Sequence, residues 1–91
     1  MSKASNVVEV LARALADRPD DVKVVESKHR DRTLVELFVA PVDLGKMIGR
    51  QGRTAAALRT LAATAAEADG TNVTLEIRDQ PFKGGNPGSR E

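Results

Sequence analysis

Hydrophobic positions near the start of the chain are spaced as in an α-helix. Within residues 6–16, apolar side chains recur at the i, i+3, i+4, i+7 and i+8 positions of one helical face: Val7, Val10, Leu11, Ala14 and Leu15. Asn6 and Glu9, three residues apart, resemble a capping arrangement at the start of this helix. The pattern predicts an amphipathic helix over 6–16 that directs this face to the core.

The spacing of apolar residues then becomes that of a β-hairpin. Strands are predicted over 22–27 and 33–40, and the polar or charged residues 28–32 between them predict a solvated turn. Pro41 ends the second strand because it has no N–H to donate. Alternate positions of that strand carry the side chains best suited to burial, which are Val35, Leu37 and Val39.

Helical spacing returns after the hairpin. Asp43 is placed to cap a short helix over 44–48. A longer helix is predicted over 53–68, and one of its faces is formed by Leu58, Leu61, Ala62 and Ala65. Residues 69–72 are a stop-and-turn cluster, and the alternation over 73–78 predicts a third strand.

The element order α-β-β-α-α-β predicts an α+β fold, with a three-stranded sheet covered on one face by three helices. We expect residues 1–80 to form this domain. Residues 81–91 contain two prolines and three glycines, a composition that predicts a flexible tail.

Composition restricts the classes of function. The 91-residue chain has no cysteine, so it offers no thiolate metal site or nucleophile, as befits a reducing cytoplasm. Its single histidine, His29, falls in the predicted polar turn, and no nucleophile lies beside a base. The start of the chain lacks the apolar run of a secretory signal, and the charge-poor stretch 60–66 is too short to span a bilayer. We expect a cytoplasmic protein without catalysis, cofactor, metal or membrane association.

Positive charge is concentrated in one stretch. The net charge of the chain is +1, yet the window 44–66 carries +4 and no acidic residue, so the remainder carries −3. The four basic residues of the window are Lys46, Arg50, Arg53 and Arg59. Such a patch indicates a localised anionic partner, with a solvated helix face as the alternative.

Two glycines interrupt the helical pattern inside this window. Gly49 and Gly52 would each cost about 1 kcal/mol relative to alanine within a helix, so they indicate a break between two helices. The break leaves the first amides of the 53–68 helix at an open end that favours an anion, and it directs Arg50 and Gln51 outward. A P-loop or a dinucleotide fingerprint would require glycine where Met47 stands, so both are rejected.

The Gly-x-x-Gly loop between two helices resembles that of a KH domain, and the element order, with an extra helix and strand at the N-terminus, is similar to the type II, bacterial form of that fold. The segment 39–53, Val-Ala-Pro-Val-Asp-Leu-Gly-Lys-Met-Ile-Gly-Arg-Gln-Gly-Arg, more specifically resembles the small bacterial single-KH proteins of the KhpA (YlqC) family, and the resemblance covers about residues 5–80. This resemblance implies single-stranded RNA binding in which the Gly-x-x-Gly loop clamps about four nucleotides by their backbone. The residues it assigns to RNA are Lys46, Ile48, Gly49, Arg50, Gln51, Gly52 and Arg53.

In this scheme Lys46 and Arg53 meet phosphates, and Ile48, with Leu58 behind it, forms an apolar floor. Thr74, Glu76 and Arg78 are candidate edge contacts from the third strand. Ala55 stands where many KH domains carry a bulky aliphatic residue, and the chain has only two aromatic residues. We therefore expect backbone-dominated binding with weak sequence preference.

The resemblance also implies an RNA chaperone or post-transcriptional regulator. It supports dimerisation, either with a second copy or with a larger Jag-like (KhpB-type) RNA-binding protein. The alternative is a protein-interaction or ribosome-associated assembly module with weak RNA affinity. Single-stranded DNA stays open as a ligand, because the loop itself does not read the 2′-hydroxyl.

Overall fold

Three helices and three strands succeed one another in residues 1–79, the part of the chain that this computed structural model describes. Their order confirms the α-β-β-α-α-β arrangement of the type II KH fold. The predicted tail, 81–91, lies outside the described residues. The bounds are Lys3–Leu15 for α1, Lys23–His29 for β1, Arg32–Val39 for β2, Pro41–Ile48 for α2, Arg53–Ala68 for α3 and Asn72–Asp79 for β3.

The sheet has the order β1-β2-β3, with β2 in the centre. β1 and β2 are antiparallel, and β3 runs parallel to β2 because α2 and α3 carry the chain back between them. The hairpin turn consists of Arg30 and Asp31 alone, since His29 already pairs with Arg32. The predicted turn over 28–32 is therefore too long, because polar residues also occupy the solvent-exposed ends of both strands.

The core lies between the sheet and the helices. Val35, Leu37 and Val39 of β2 are fully buried, as their alternation predicts. Leu75 of β3 faces the same side. The helices complete the core with Ala4, Val8 and Ala12 of α1, Met47 of α2, and Leu58, Ala62 and Ala66 of α3. All three helices thus cover one face of the sheet.

α1 differs from its prediction in both its start and its buried face. Its N-cap is Ser2, whose Oγ accepts a hydrogen bond from the N–H of Ser5 at 3.1 Å, so the capping arrangement predicted at residue 6 is wrong. Small residues and Val8 form the fully buried face, and Leu11 packs against the core in part, whereas Val10 is 66% exposed and Leu15 is 41% exposed. Small side chains allow α1 to approach α3 closely, and this leaves several larger apolar side chains pointing outward.

A carboxylate fixes the start of α1 to the sheet. Glu26 of β1 accepts hydrogen bonds from the Ser2 N–H at 3.0 Å, from the Ser2 hydroxyl at 2.8 Å and from the Ser5 hydroxyl. These bonds, the one from Ser5 foremost, lower the pKa of Glu26 from 4.5 to about 2. Because the folded pKa is the lower one, the contribution of Glu26 to stability is complete above about pH 4.5 and is lost as the pH falls towards 2.

Candidate nucleic-acid interface

The loop 49–52 joins α2 to α3. The Gly49 N–H closes α2 by donating to the Gly45 carbonyl at 2.8 Å. Residues Arg50–Gly52 then form a single 3-10 turn, in which the Gly52 N–H donates to the Gly49 carbonyl at 3.0 Å. Gly49 and Gly52 have φ values of +78° and +73°, so the helix break predicted from their positions is confirmed.

The two glycines are required for different reasons. A Cβ on Gly49 would collide with Thr54 Oγ1 and would lie 2.8 Å from both the backbone nitrogen and the Cβ of Thr54. The loop therefore packs its backbone directly against the first turn of α3. A Cβ on Gly52 would meet no atom of residues 1–79 within 4 Å, so among these residues only its own left-handed backbone conformation favours glycine there.

Arg50 and Gln51, between the glycines, are both exposed. Gln51 has a left-handed backbone, with φ +57° and ψ +24°, which turns the loop out from the helices. Its amide oxygen accepts a hydrogen bond from Arg53 Nη2 at 3.0 Å, which holds the Arg53 guanidinium beside the loop. Arg50 has no hydrogen-bond or ion-pair partner within residues 1–79, so its guanidinium faces solvent.

The start of α3 is electrostatically open. No side chain of residues 1–79 caps this helix, and its first turn contains no acidic residue. Its N-terminal amides thus keep the partial positive charge of the helix end, in a place where Arg50 and Arg53 add two full positive charges. The arrangement attracts anions such as phosphate.

Lys46 lies one helical turn before the loop and forms an ion pair. Its Nζ lies 2.8 Å from Oδ1 of Asp17, in the linker that follows α1. This hydrogen bond raises the pKa of Lys46. The basic window read from the sequence is therefore partly neutralised in space, by an acidic residue that comes 29 positions earlier in the chain.

Asp43 has a role that its position in the sequence does not reveal. It is not the N-cap of α2, which is Ala40, followed by Pro41 at the first helical position. Its side chain is fully buried, and its carboxylate accepts hydrogen bonds from the N–H groups of Asp17 and Arg18, each at 3.0 Å. These bonds, the one from Asp17 foremost, lower the pKa of Asp43 and fix the linker to α2.

An apolar surface borders the loop on the helix side. Ile48, the last residue of α2, is 37% exposed, and Leu44 is half-buried one turn earlier. Leu58 is buried, as expected of a side chain behind the floor. Ala55 is also buried, so its small size leaves the surface shallow beside the first turn of α3.

The third strand presents its polar residues away from this surface. Leu75 is buried against the helices, so Thr74, Glu76 and Arg78 point to the opposite face of the sheet. There Arg78 forms ion pairs with Glu76 and, at 3.6 Å, with Glu36. The helix side of β3 instead carries Val73 and Ile77. The structure thus does not bring the three candidate edge contacts to the loop.

Residues 1–79 contain neither a candidate metal-ligand cluster nor a candidate membrane span. No cluster of three or more histidine, cysteine, aspartate or glutamate residues is placed to hold a metal ion in this range. None of the helices described here is long and apolar enough to cross a membrane.

Known proteins resemble the chain over almost the whole described domain. The family model for the KhpA/KhpB KH domain matches residues 5–77. A protein named RNA-binding protein KhpA from Clostridium perfringens is 44% identical over 71 residues, which cover 78% of this chain and 95% of the relative. Its namesake from Aquifex aeolicus is 43% identical over 77 residues, which cover 85% and 98%.

A solved structure shares the fold at lower sequence identity. Era from Aquifex aeolicus, crystallised with GDP and aluminium fluoride, superimposes with a TM-score of 0.63 and 20% identity over 86% of this chain. The match spans 31% of the Era chain, so the likeness is to one part of that protein.

Proposed function

The chain belongs to the KhpA/KhpB family of KH domains, and on that premise we propose that it binds single-stranded RNA at the loop 49–52. The observation that carries the proposal is the exposed glycine turn at the uncapped start of α3. Relatives named as RNA-binding proteins support it. The role is binding rather than catalysis.

The loop contacts the phosphate backbone of the strand. Arg50, unpaired within residues 1–79, meets one phosphate, and the amides at the start of α3 favour another. Lys46 and Arg53 flank the loop on either side and extend the contact to about four nucleotides. The close backbone approach that Gly49 and Gly52 permit lets the strand lie against the turn.

A base rests on the apolar surface at Ile48. This surface is shallow at Ala55 and has no aromatic side chain from residues 1–79 for stacking, so it discriminates little between bases. Affinity then comes mainly from the backbone, which carries no sequence information. Such binding suits an RNA chaperone or a post-transcriptional regulator that acts on many transcripts.

Salt dependence tests this proposal. About four phosphate contacts on a single strand, at about 0.7 each, predict that log K falls with log salt concentration at a slope near −3. The measurement is fluorescence anisotropy of a labelled single-stranded RNA across a potassium chloride series. Unlabelled DNA of the same sequence serves as competitor and reports any contribution of the 2′-hydroxyl. A slope near zero would contradict the backbone clamp.

An exposed apolar surface supports a second function, as a protein-interaction module. Val7, Val10 and Leu11 of α1 and Leu61 of α3 line an open depression, in which Val10 is 66% exposed and Leu61 is 45% exposed. Val10 and Leu61 belong to the predicted apolar faces of α1 and α3 but are exposed, whereas Leu11 is half-buried and packs against the core. Apolar surfaces of this kind mark protein–protein interfaces. We propose that α1 and α3 pair here with a second copy or with a KhpB-type protein.

Sedimentation velocity tests the pairing. We expect the chain to sediment as a dimer at micromolar concentration and Leu61→Lys to sediment as a monomer, because a buried lysine at the interface has no partner. Val42→Lys is the matched control, since Val42 is an equally apolar side chain on α2, 72% exposed and outside this depression. A wild-type chain that stays monomeric would rule out pairing with a second copy at this surface, and a control that behaves like Leu61→Lys would rule out the surface itself.

A further inference from the structure

The ion pair between Lys46 and Asp17 lies beside the candidate loop and is open to solvent. Lys46 precedes Gly49 by three residues on α2. The Nζ–Oδ1 distance is 2.8 Å, and the side chains of Lys46 and Asp17 are 42% and 73% exposed. A phosphate oxygen approaching Lys46 from solvent therefore reaches the same Nζ that the carboxylate holds.

The backbone under this pair is fixed. The N–H groups of Asp17 and Arg18 both donate to the buried Asp43 carboxylate at 3.0 Å, and Asp43 lies three residues before Lys46 on α2. The Ala16 N–H donates to the Ala12 carbonyl at 2.9 Å, which ties the linker to the end of α1 as well. Asp17 is thus held at a set position relative to Lys46. Less conformational entropy is lost in this pair than in an ion pair between two mobile segments.

We propose that Asp17 competes with RNA for Lys46 and thereby lowers the affinity of the loop for RNA; this inference rests on the proposed RNA binding. Carboxylate and phosphate oxygens are the same class of partner for an ammonium group. In the free protein Asp17 occupies Lys46, and a bound phosphate must displace it. The neighbouring Arg18 does not replace Lys46 as the partner of Asp17, because its guanidinium pairs with Asp21 at 2.9 Å.

The variant Asp17→Asn tests the competition. It keeps the size of the side chain and the backbone N–H that donates to the Asp43 carboxylate, while it removes the negative charge of Asp17. We expect RNA binding to become about twofold to fivefold tighter, the range that an exposed ion pair supplies. The slope of log K against log salt should stay unchanged, because the number of phosphates contacted is the same.

Asp20→Asn is the matched control. Asp20 is exposed in the same linker and has no partner within residues 1–79, so its replacement removes the same charge without releasing Lys46. If only the general field mattered, both variants would tighten binding equally, and that result would overturn the inference. Weaker binding by Asp17→Asn would also overturn it, because Asp17 would then position Lys46 for RNA.

Lys46→Met completes a double-mutant cycle. We expect it to weaken RNA binding, and we expect Asp17→Asn in the Lys46→Met background to have no more effect than Asp20→Asn has. An undiminished effect of Asp17→Asn without Lys46 would show that the two residues do not act through each other. A wild-type chain that binds no RNA would instead refute the proposed function, so the two failures are distinguishable.

Discussion

Replacing Gly49 with alanine is expected to lower the free energy of unfolding by about 3 kcal/mol, which corresponds to a melting temperature about 15 °C lower. Two costs add. The backbone at φ +78° and ψ +169° is one that residues with a Cβ rarely adopt. The new methyl group would also lie 2.8 Å from the backbone nitrogen of Thr54, which cannot retreat without moving the first turn of α3. Because that turn forms the candidate phosphate site, RNA binding should fall with stability.

The other glycines of the segment provide graded controls. Gly45 lies inside α2 with nothing within 4 Å of its Cβ position, so Gly45→Ala should stabilise the protein by about 1 kcal/mol. Gly52→Ala meets no neighbour and should cost about 1 kcal/mol for its left-handed backbone alone.

Thr54→Ala should not rescue Gly49→Ala. It removes Oγ1, but the backbone nitrogen and the Cβ of residue 54 remain at 2.8 Å. Thermal denaturation followed by circular dichroism ranks all these variants. A melting temperature of Gly49→Ala within about 3 °C of wild type would show that the loop does not pack on α3 in this way.

The parts of the fold that were predicted correctly depend on local signals. The alternation of Val35, Leu37 and Val39 identifies the buried face of a strand, because side-chain direction alternates strictly there. The helix break at Gly49 and Gly52 was equally readable, because an alanine-rich sequence that keeps two glycines indicates a backbone requirement. Both inferences need only neighbouring residues.

α1 was assigned the wrong face because hydrophobicity and burial diverge there. The predicted face consists mainly of valine and leucine, yet close packing of α1 on α3 buries the small side chains of Ala4, Ser5 and Ala12. The burial of Ser5 depends on Glu26 of β1, which accepts a hydrogen bond from the Ser5 hydroxyl. No periodicity within the helix contains that information.

The contacts around the loop that the sequence did not reveal are long-range. Asp43 was predicted to cap a helix over 44–48, whereas its partners are the N–H groups of Asp17 and Arg18, about 25 residues earlier. The pairing of Lys46 with Asp17 arises from the same linker. Local patterns identify which residues carry charge, but only the fold determines which charges meet.

Replacing Arg50 and Gln51 together with aspartate is expected to weaken RNA binding about 100-fold without changing the melting temperature. The change removes one positive charge and adds two negative charges at the proposed phosphate contacts, and each lost or repelled contact is expected to cost about a factor of ten. The fold should tolerate it, because both side chains are exposed and aspartate accepts the left-handed backbone at residue 51.

The β1–β2 turn supplies a matched control, His29→Asp combined with Arg30→Asp. This pair also replaces one arginine and one residue without a fixed positive charge, and both side chains are exposed. Arg30 has the same left-handed backbone as Gln51, with φ +63°. The turn lies at the far end of α3 from the loop, because the Asn72 N–H donates to the Asp31 carbonyl at 3.1 Å. The 16 residues of α3 make that separation about 24 Å.

Fluorescence anisotropy of one labelled single-stranded RNA, titrated in parallel with wild type and these two double variants at a fixed salt concentration, tests the central claim most directly. If the loop clamps the RNA backbone, the Arg50/Gln51 variant binds about 100-fold more weakly, and the affinity of the His29/Arg30 variant changes by less than about threefold. The melting temperatures of all three proteins are expected to be alike. Equal affinities of the loop variant and wild type, or equal losses in both variants, would contradict RNA binding at Gly49-Arg50-Gln51-Gly52.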